Sequence, residues 1–170
     1  MVNKLAISFA AVLLGFMSLG YVEANTNDYT VVPQTSETQT VYMDTIEQKN
    51  GKTYITVDFI EWYEGEEANV IFREKENDSE MTETPDGYYV VNEEMDLLTF
   101  EVAEDAQVLM QIYNRTGNID EADTIWNEEI SVDKFFAELS DTSEMNLKEF
   151  PYHLEIHEGT IVKITQQFVP

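Results

Sequence analysis

The chain has only two histidines, and they flank a glutamate in the segment His153-Leu-Glu155-Ile-His157. Imidazole nitrogens and carboxylate oxygens bind divalent metal ions, so the three residues are candidate metal ligands. The segment follows Pro151 and alternates apolar with polar positions, which is typical of a strand rather than a helix. On a strand the three side chains share a face, but the two histidine Cα atoms lie about 13 Å apart at ~3.3 Å per residue. We therefore favour a structural or solvent-exposed role over a weak divalent site.

Asp58 is a second candidate because its segment, 56–62, is otherwise rich in apolar residues. A carboxylate in such a strand must find hydrogen-bond donors. One interpretation makes it a ligand-binding or acid–base group paired with Glu61 or Glu155, and the other ties it to backbone amides at a barrel corner. With 34 acidic residues in the chain, neighbouring carboxylates are expected by chance, which favours the second interpretation.

Large aromatic side chains form the third group of candidates, near the ends of predicted strands. Exposed together, they would make a platform for a sugar or a peptide. Residues of this kind more often fill the end of a barrel, so both alternatives stay open. The aromatic residues concerned are Trp62, Tyr63, Tyr88, Tyr89 and Trp126.

The sequence carries no recognisable catalytic motif. It has no cysteine, which excludes thiol catalysis and thiolate zinc sites, and it lacks the nucleophile-elbow, phosphate-loop and dinucleotide patterns. Acids in 76–87 and 120–123 could bind calcium, but neither run matches the calcium-loop spacing. We expect no cofactor, apart from a weak site for Ca²⁺ or another divalent ion.

The charge is strongly unbalanced, with 9 basic residues against 34 acidic ones and a formal net charge of −25. A surface of this sign repels nucleic acid and anionic membranes, and it favours a soluble monomer. Because the acids are spread along the chain, adaptation to salty or alkaline surroundings is the favoured explanation. A cation-binding surface or a basic partner is the alternative.

The first 24 residues have the pattern of a secretory signal peptide. A short basic start is followed by an apolar run from Leu5 to Gly20, and Val22 and Ala24 suit cleavage before Asn25. A retained membrane anchor is the alternative. The sequence predicts a flexible polar leader over 25–40 and a single secreted domain over 41–170. Its expected partner is an unknown extracellular or cell-wall component.

Turn residues and apolar periodicity place the elements that would position these candidates. Asn50-Gly51 predicts a tight hairpin in which Ile46 faces Ile55 and Tyr42 faces Phe59. A helix is predicted after Gly65, with acids in its first turn and bases in its last. Further strands are predicted from Gly87, over 97–102 and over 106–113.

A second helix begins after the N-cap Ser131, and a hairpin around Glu158-Gly159 closes the domain. Together these elements predict a mainly β fold of the α+β class, with about seven strands and two short helices. We expect a small antiparallel barrel of the oligonucleotide-binding type or a related roll.

Three stretches together resemble uncharacterised secreted or envelope proteins of Gram-positive bacteria. They are 56–63 with Gly65 and Ala68, then 86–92, then 151–159 with the closing 168–170. The resemblance implies an exported single domain and assigns no functional residue. The function expected from the sequence is a non-catalytic binding or interaction module, and the alternative is a secreted hydrolase that uses carboxylates or a divalent ion.

Overall fold

A computed structural model describes residues 31–33, 35–76 and 81–169. The predicted signal peptide, residues 25–30 and 34 of the leader and residues 77–80 of the acidic 76–87 loop lie outside the described residues. The fold is mainly β and belongs to the α+β class. Its elements are β1 (Thr38–Lys49), β2 (Lys52–Phe59), β3 (Glu61–Glu64), α1 (Gly65–Glu76), β4 (Tyr88–Val91), β5 (Leu97–Met110), β6 (Glu128–Ile130), α2 (Val132–Ser140), β7 (Pro151–His157) and β8 (Thr160–Gln166).

Six of the strands form one sheet in the order β2-β1-β7-β8-β5-β6, and β2 pairs in addition with β5. The β5–β8 pairing is parallel, and the other pairings in this sheet are antiparallel. Strands β3 and β4 pair with each other as a separate two-stranded sheet. The strand β1 begins at Thr38, slightly before the predicted domain start, because Thr38 and Thr40 already pair with β7.

The first hairpin turns where the sequence predicts. Asn50 and Gly51 have φ values of 53° and 77°, the positive angles that a tight two-residue turn requires. Ile46 faces Ile55, as predicted.

Farther from the turn the predicted register is wrong by one residue. Tyr42 faces Asp58, and Phe59 faces Val41, because the pairing shifts at Asp44. An extra residue in one strand reverses which alternate side chains point inwards. Val41 is consequently buried in the core, whereas Tyr42 is not part of it.

The two strands predicted over 97–102 and 106–113 are one continuous strand, β5. Its parallel register with β8 shifts between Val102 and Gln107, so the polar stretch Ala103-Glu104-Asp105 is an irregularity within the strand rather than a loop. A polar interruption does not end a strand when the backbone keeps its partners on both sides.

Helix α2 packs its apolar side against the core of the larger sheet. The Ser131 side chain accepts a hydrogen bond from the Lys134 backbone N–H and caps the helix, as predicted. Phe135 and Leu139 are each 0 % exposed, and the Phe135 ring meets Tyr152 edge-on at 5.8 Å. Neither α1 nor α2, nor any other helix among the described residues, is long and apolar enough to cross a membrane.

Candidate functional site: an aromatic cleft

Strands β3 and β4 sort the candidate aromatic residues onto two faces. Glu64 pairs with Tyr88 and Tyr63 pairs with Tyr89, so alternation places Trp62, Glu64 and Tyr88 on one face. The rings of Trp62 and Tyr88 are diagonal neighbours on that face and stack at 4.6 Å with an interplanar angle of 13°. This stack is one wall of a cleft.

Tyr89 lies on the opposite face of this two-stranded sheet, and that face is covered by α1. Its ring meets Phe72 of that helix edge-on at 5.7 Å, and its hydroxyl donates to Glu76. Tyr89 therefore docks the helix, and the alternation of the strand places it on the face away from the cleft that Tyr88 lines.

The second wall comes from two distant parts of the chain. Trp126 precedes β6, Phe168 follows β8, and their rings meet edge-on at 4.9 Å. Between the walls is an open cleft of about 400 Å³, within the size range of small-ligand sites. Its lining residues are Trp62, Glu64, Asp86, Gly87, Tyr88, Trp126, Gln167 and Phe168.

Two buried glutamines hold the Trp126 loop against the end of β8. Gln166 Oε1 accepts hydrogen bonds from the backbone N–H groups of Gln111 and Ile112 at 2.8 and 2.9 Å. Gln111 Oε1 accepts from the backbone N–H of Asn127 at 2.8 Å, and Gln111 Nε2 donates to Asn127 Oδ1 at 3.2 Å. This network fixes the residue next to Trp126, so the second wall is built on a rigid support.

The floor of the cleft is a chain of hydrogen bonds that joins the small sheet to the end of the large one. This polar strap consists of Trp62, Glu64, Gln167 and Phe168. Glu64 Oε1 accepts from Trp62 Nε1 at 3.0 Å and from Gln167 Nε2 at 3.1 Å. Gln167 Nε2 also donates to the carbonyl of Phe168 at 2.8 Å. The strap therefore orients the Trp62 ring and positions Phe168 through the same glutamine.

His153 lies under this strap and is only 3 % exposed. Its Nε2 is 2.7 Å from Gln167 Oε1, and its Nδ1 is 3.0 Å from Thr40 Oγ1. Because Gln167 Nε2 already donates its hydrogens, Oε1 is the acceptor and His153 Nε2 must carry the proton. A neutral ring then accepts from Thr40 at Nδ1. Burial lowers the pKa of His153, although the Gln167 hydrogen bond and the Glu64 charge oppose this shift.

This lowered pKa predicts a specific dependence of stability on pH. Between the lowered pKa of folded His153 and the ordinary histidine pKa of about 6.5, the unfolded chain binds more protons than the folded one, so this residue makes the free energy of unfolding fall as the pH drops below about 6.5. We expect His153→Gln to remove part of that slope, measured by urea denaturation across this range. Equal slopes in wild type and His153→Gln would contradict the prediction.

The three candidate metal ligands do not come together. Glu155 accepts a hydrogen bond from Lys163 at 3.0 Å, and His157 lies 3.4 Å from Glu37, while His153 is buried beneath the cleft. Among the described residues, no group of three histidine, aspartate or glutamate side chains could hold a metal ion.

Asp58 lies outside the cleft and holds two segments together. Its carboxylate accepts from Asn92 Nδ2 and from the backbone N–H of Asp96, both at 2.8 Å. This geometry agrees with the interpretation of Asp58 as a carboxylate tied to amides at a strand end.

A second cavity of about 480 Å³ adjoins the cleft. The two spaces share three lining residues, and the second extends past His153 towards Val31 and Glu67. Within the described residues, neither space is lined by a lysine or an arginine, whereas both are lined by carboxylates. The shared residues are Trp62, Glu64 and Gln167.

Sequence reasoning identified Trp62, Tyr88 and Trp126, but it missed Phe168, Glu64 and Gln167. A useful signal for Glu64 was its spacing of two from Trp62 on a strand, which puts both on one face. For Phe168 and Gln167, only the fold brings these residues beside the β3–β4 sheet. Comparisons of the chain with protein-family models, curated proteins and solved structures return no match.

Proposed function

We propose that the protein is an exported, non-catalytic binding module whose ligand occupies the cleft between the Trp62–Tyr88 stack and the Trp126–Phe168 pair. The observation that carries this proposal is the convergence of four aromatic residues, from separate parts of the chain, around one open space of about 400 Å³. Aromatic residues that serve only packing are usually covered, whereas these side chains are half-exposed along a concave surface. Export is supported by the signal-peptide pattern of residues 1–24.

We further propose that five strands close into a barrel of the oligonucleotide-binding type. The support is the run of pairings from β1 through β2, β5, β8 and β7 back to β1, with α2 lying between β5 and β7 along the chain. The aromatic cleft lies beside β7 and the end of β8. In oligonucleotide-binding barrels the ligand lies on the face of the second and third strands, which here are β2 and β5. A cleft elsewhere and a net charge of −25 both argue for a different ligand.

The hydrolase alternative expects Asp58 or Glu155 in a pocket within hydrogen-bond reach of a second acid, or beside a divalent ion. The two acids first considered for that role have other partners, since Asp58 binds amides and Glu155 binds Lys163. Neither lines the cleft. The binding proposal accounts for the aromatic residues, whereas the hydrolase alternative does not use them.

Intrinsic fluorescence tests the proposal directly, because the chain has two tryptophans and both line the cleft. We expect titration with short peptides or neutral oligosaccharides to change the emission of the purified domain in a saturable way for one probe class. Mass spectrometry should recover the bound probe intact, and cleavage of the probe would favour the hydrolase.

Tyr88→Ala should weaken the fluorescence response, and Tyr89→Ala is the matched control on the opposite face of the same strand. A response that survives Tyr88→Ala unchanged, or none with either probe class, would overturn the proposed function.

A further inference from the structure

We propose that the cleft binds a basic peptide segment, with an arginine or lysine side chain held between the two aromatic walls. This inference rests on the proposed function and names the chemistry of its ligand. It starts from the groups that line the cleft and its neighbouring cavity.

The charged lining is entirely negative among the described residues of the two cavities. Glu64 and Asp86 line the cleft, and Glu67 lines the adjoining cavity. The whole chain adds a formal charge of −25, so the long-range field also attracts cations. Aromatic faces bind guanidinium and ammonium groups through the ring quadrupole, most strongly at tryptophan. Carboxylates and ring faces at one site are therefore complementary to a cation.

The neutral hydrogen-bonding groups of the floor favour a cation over a sugar. The Trp62 indole N–H donates to Glu64, and the Gln167 amide donates to Glu64 and to the Phe168 carbonyl. Gln167 Oε1 in turn accepts from His153. A sugar hydroxyl needs both donors and acceptors from its site, and these donors are already used inside the protein. A cation needs acceptors and ring faces alone.

The shape of the site favours a chain-like ligand over a small ion. The cleft of about 400 Å³ continues into the space of about 480 Å³ across Trp62, Glu64 and Gln167. A peptide can place a basic side chain in the first space and a neighbouring apolar side chain near Val31 in the second. A compact ammonium ion would leave the second space empty.

The test compares two short acetylated and amidated peptides that differ in charge at one position. One carries a central arginine between leucines, and the other carries citrulline, the neutral isostere, in its place. We expect the arginine peptide to bind about tenfold more tightly by tryptophan fluorescence and calorimetry, and to weaken as salt is added. Equal affinity for both peptides would overturn the cationic specificity while leaving the proposed binding function standing.

Two variants test whether the carboxylates that line the cleft bind the arginine side chain. Glu64→Gln keeps an oxygen acceptor for Trp62 and Gln167 but removes the negative charge, and Asp86→Asn does the same at the rim. Each should reduce binding of the arginine peptide several-fold and leave the citrulline peptide unchanged. Glu74→Gln, on the exposed side of α1, is the control and should bind both peptides as wild type does. Circular dichroism confirms that each variant is folded.

Three other outcomes would also decide the question. Choline that binds as tightly as the arginine peptide would overturn the choice of a peptide as ligand. A neutral oligosaccharide that binds more tightly than either peptide would overturn the cationic ligand and keep the binding function. Failure of every probe would overturn both proposals.

Discussion

Replacing Phe135 with alanine is expected to lower the free energy of unfolding by about 3–5 kcal/mol. The side chain is 0 % exposed, and its ring contacts Tyr152, which is itself fully buried. Removing the ring leaves a cavity between α2 and the sheet that neighbouring side chains on β7 cannot fill without moving. Urea denaturation should show a lower midpoint with an unchanged slope, because the folded and unfolded states expose nearly the same surface as before.

Phe136→Ala is the matched control for this prediction. Phe136 is the next residue on α2, has the same chemistry and is only half-buried. Phe136→Ala should lower the free energy of unfolding clearly less than Phe135→Ala does, because part of the Phe136 ring already contacts water. Equal losses of unfolding free energy for the two variants, or a loss below about 1 kcal/mol for Phe135→Ala, would contradict the packing of α2 against the core.

The sequence predicts those elements whose structure depends on neighbouring residues. The Asn50-Gly51 turn and the Ser131 cap are set by backbone angles and by one side-chain oxygen, so their chemistry is visible in a few letters. The same holds for α1, whose charges suit the helix dipole.

Features that depend on strand partners were predicted less well. The register shift at Asp44 moves Tyr42 from its predicted partner Phe59 to Asp58, and nothing in the composition of β1 marks that position. The sequence predicts two strands separated at 103–105, yet one strand continues through these residues. Both errors have one cause: extra residues in a paired strand, one in β1 and three in β5, are stabilised by the neighbouring strands rather than by their own propensity.

The candidate site shows the same division. The alternation of β4 separates Tyr88 from Tyr89, and this could have been predicted once the strand was accepted. The meeting of Trp126 with Phe168 depends on Gln111 and Gln166, two buried amides that link separate segments. Buried glutamines are hard to predict from sequence because the residue type is usually exposed. The fold therefore selects which aromatic residues form the cleft.

Trp126→Ala is expected to weaken binding of the arginine peptide by about 30-fold or more, since a central aromatic contact in an interface commonly contributes about 2–4 kcal/mol. The variant removes one ring face from the cleft and leaves Phe168 without its edge-on partner at 4.9 Å. The indole is half-exposed, so stability should fall far less than in Phe135→Ala. Calorimetry is the suitable measurement, because the variant also loses half of the fluorescence signal.

The control for this variant is Tyr89→Ala, which removes an aromatic ring from the helix-covered face of the β3–β4 sheet. It should lower stability through its lost contact with Phe72 while keeping wild-type affinity. The pair thus separates loss of a binding contact from general loss of packing. If Trp126→Ala binds as wild type does, or Tyr89→Ala weakens binding equally, the ligand does not lie between the two aromatic walls. The acidic rim would then act only as part of the hydrated surface.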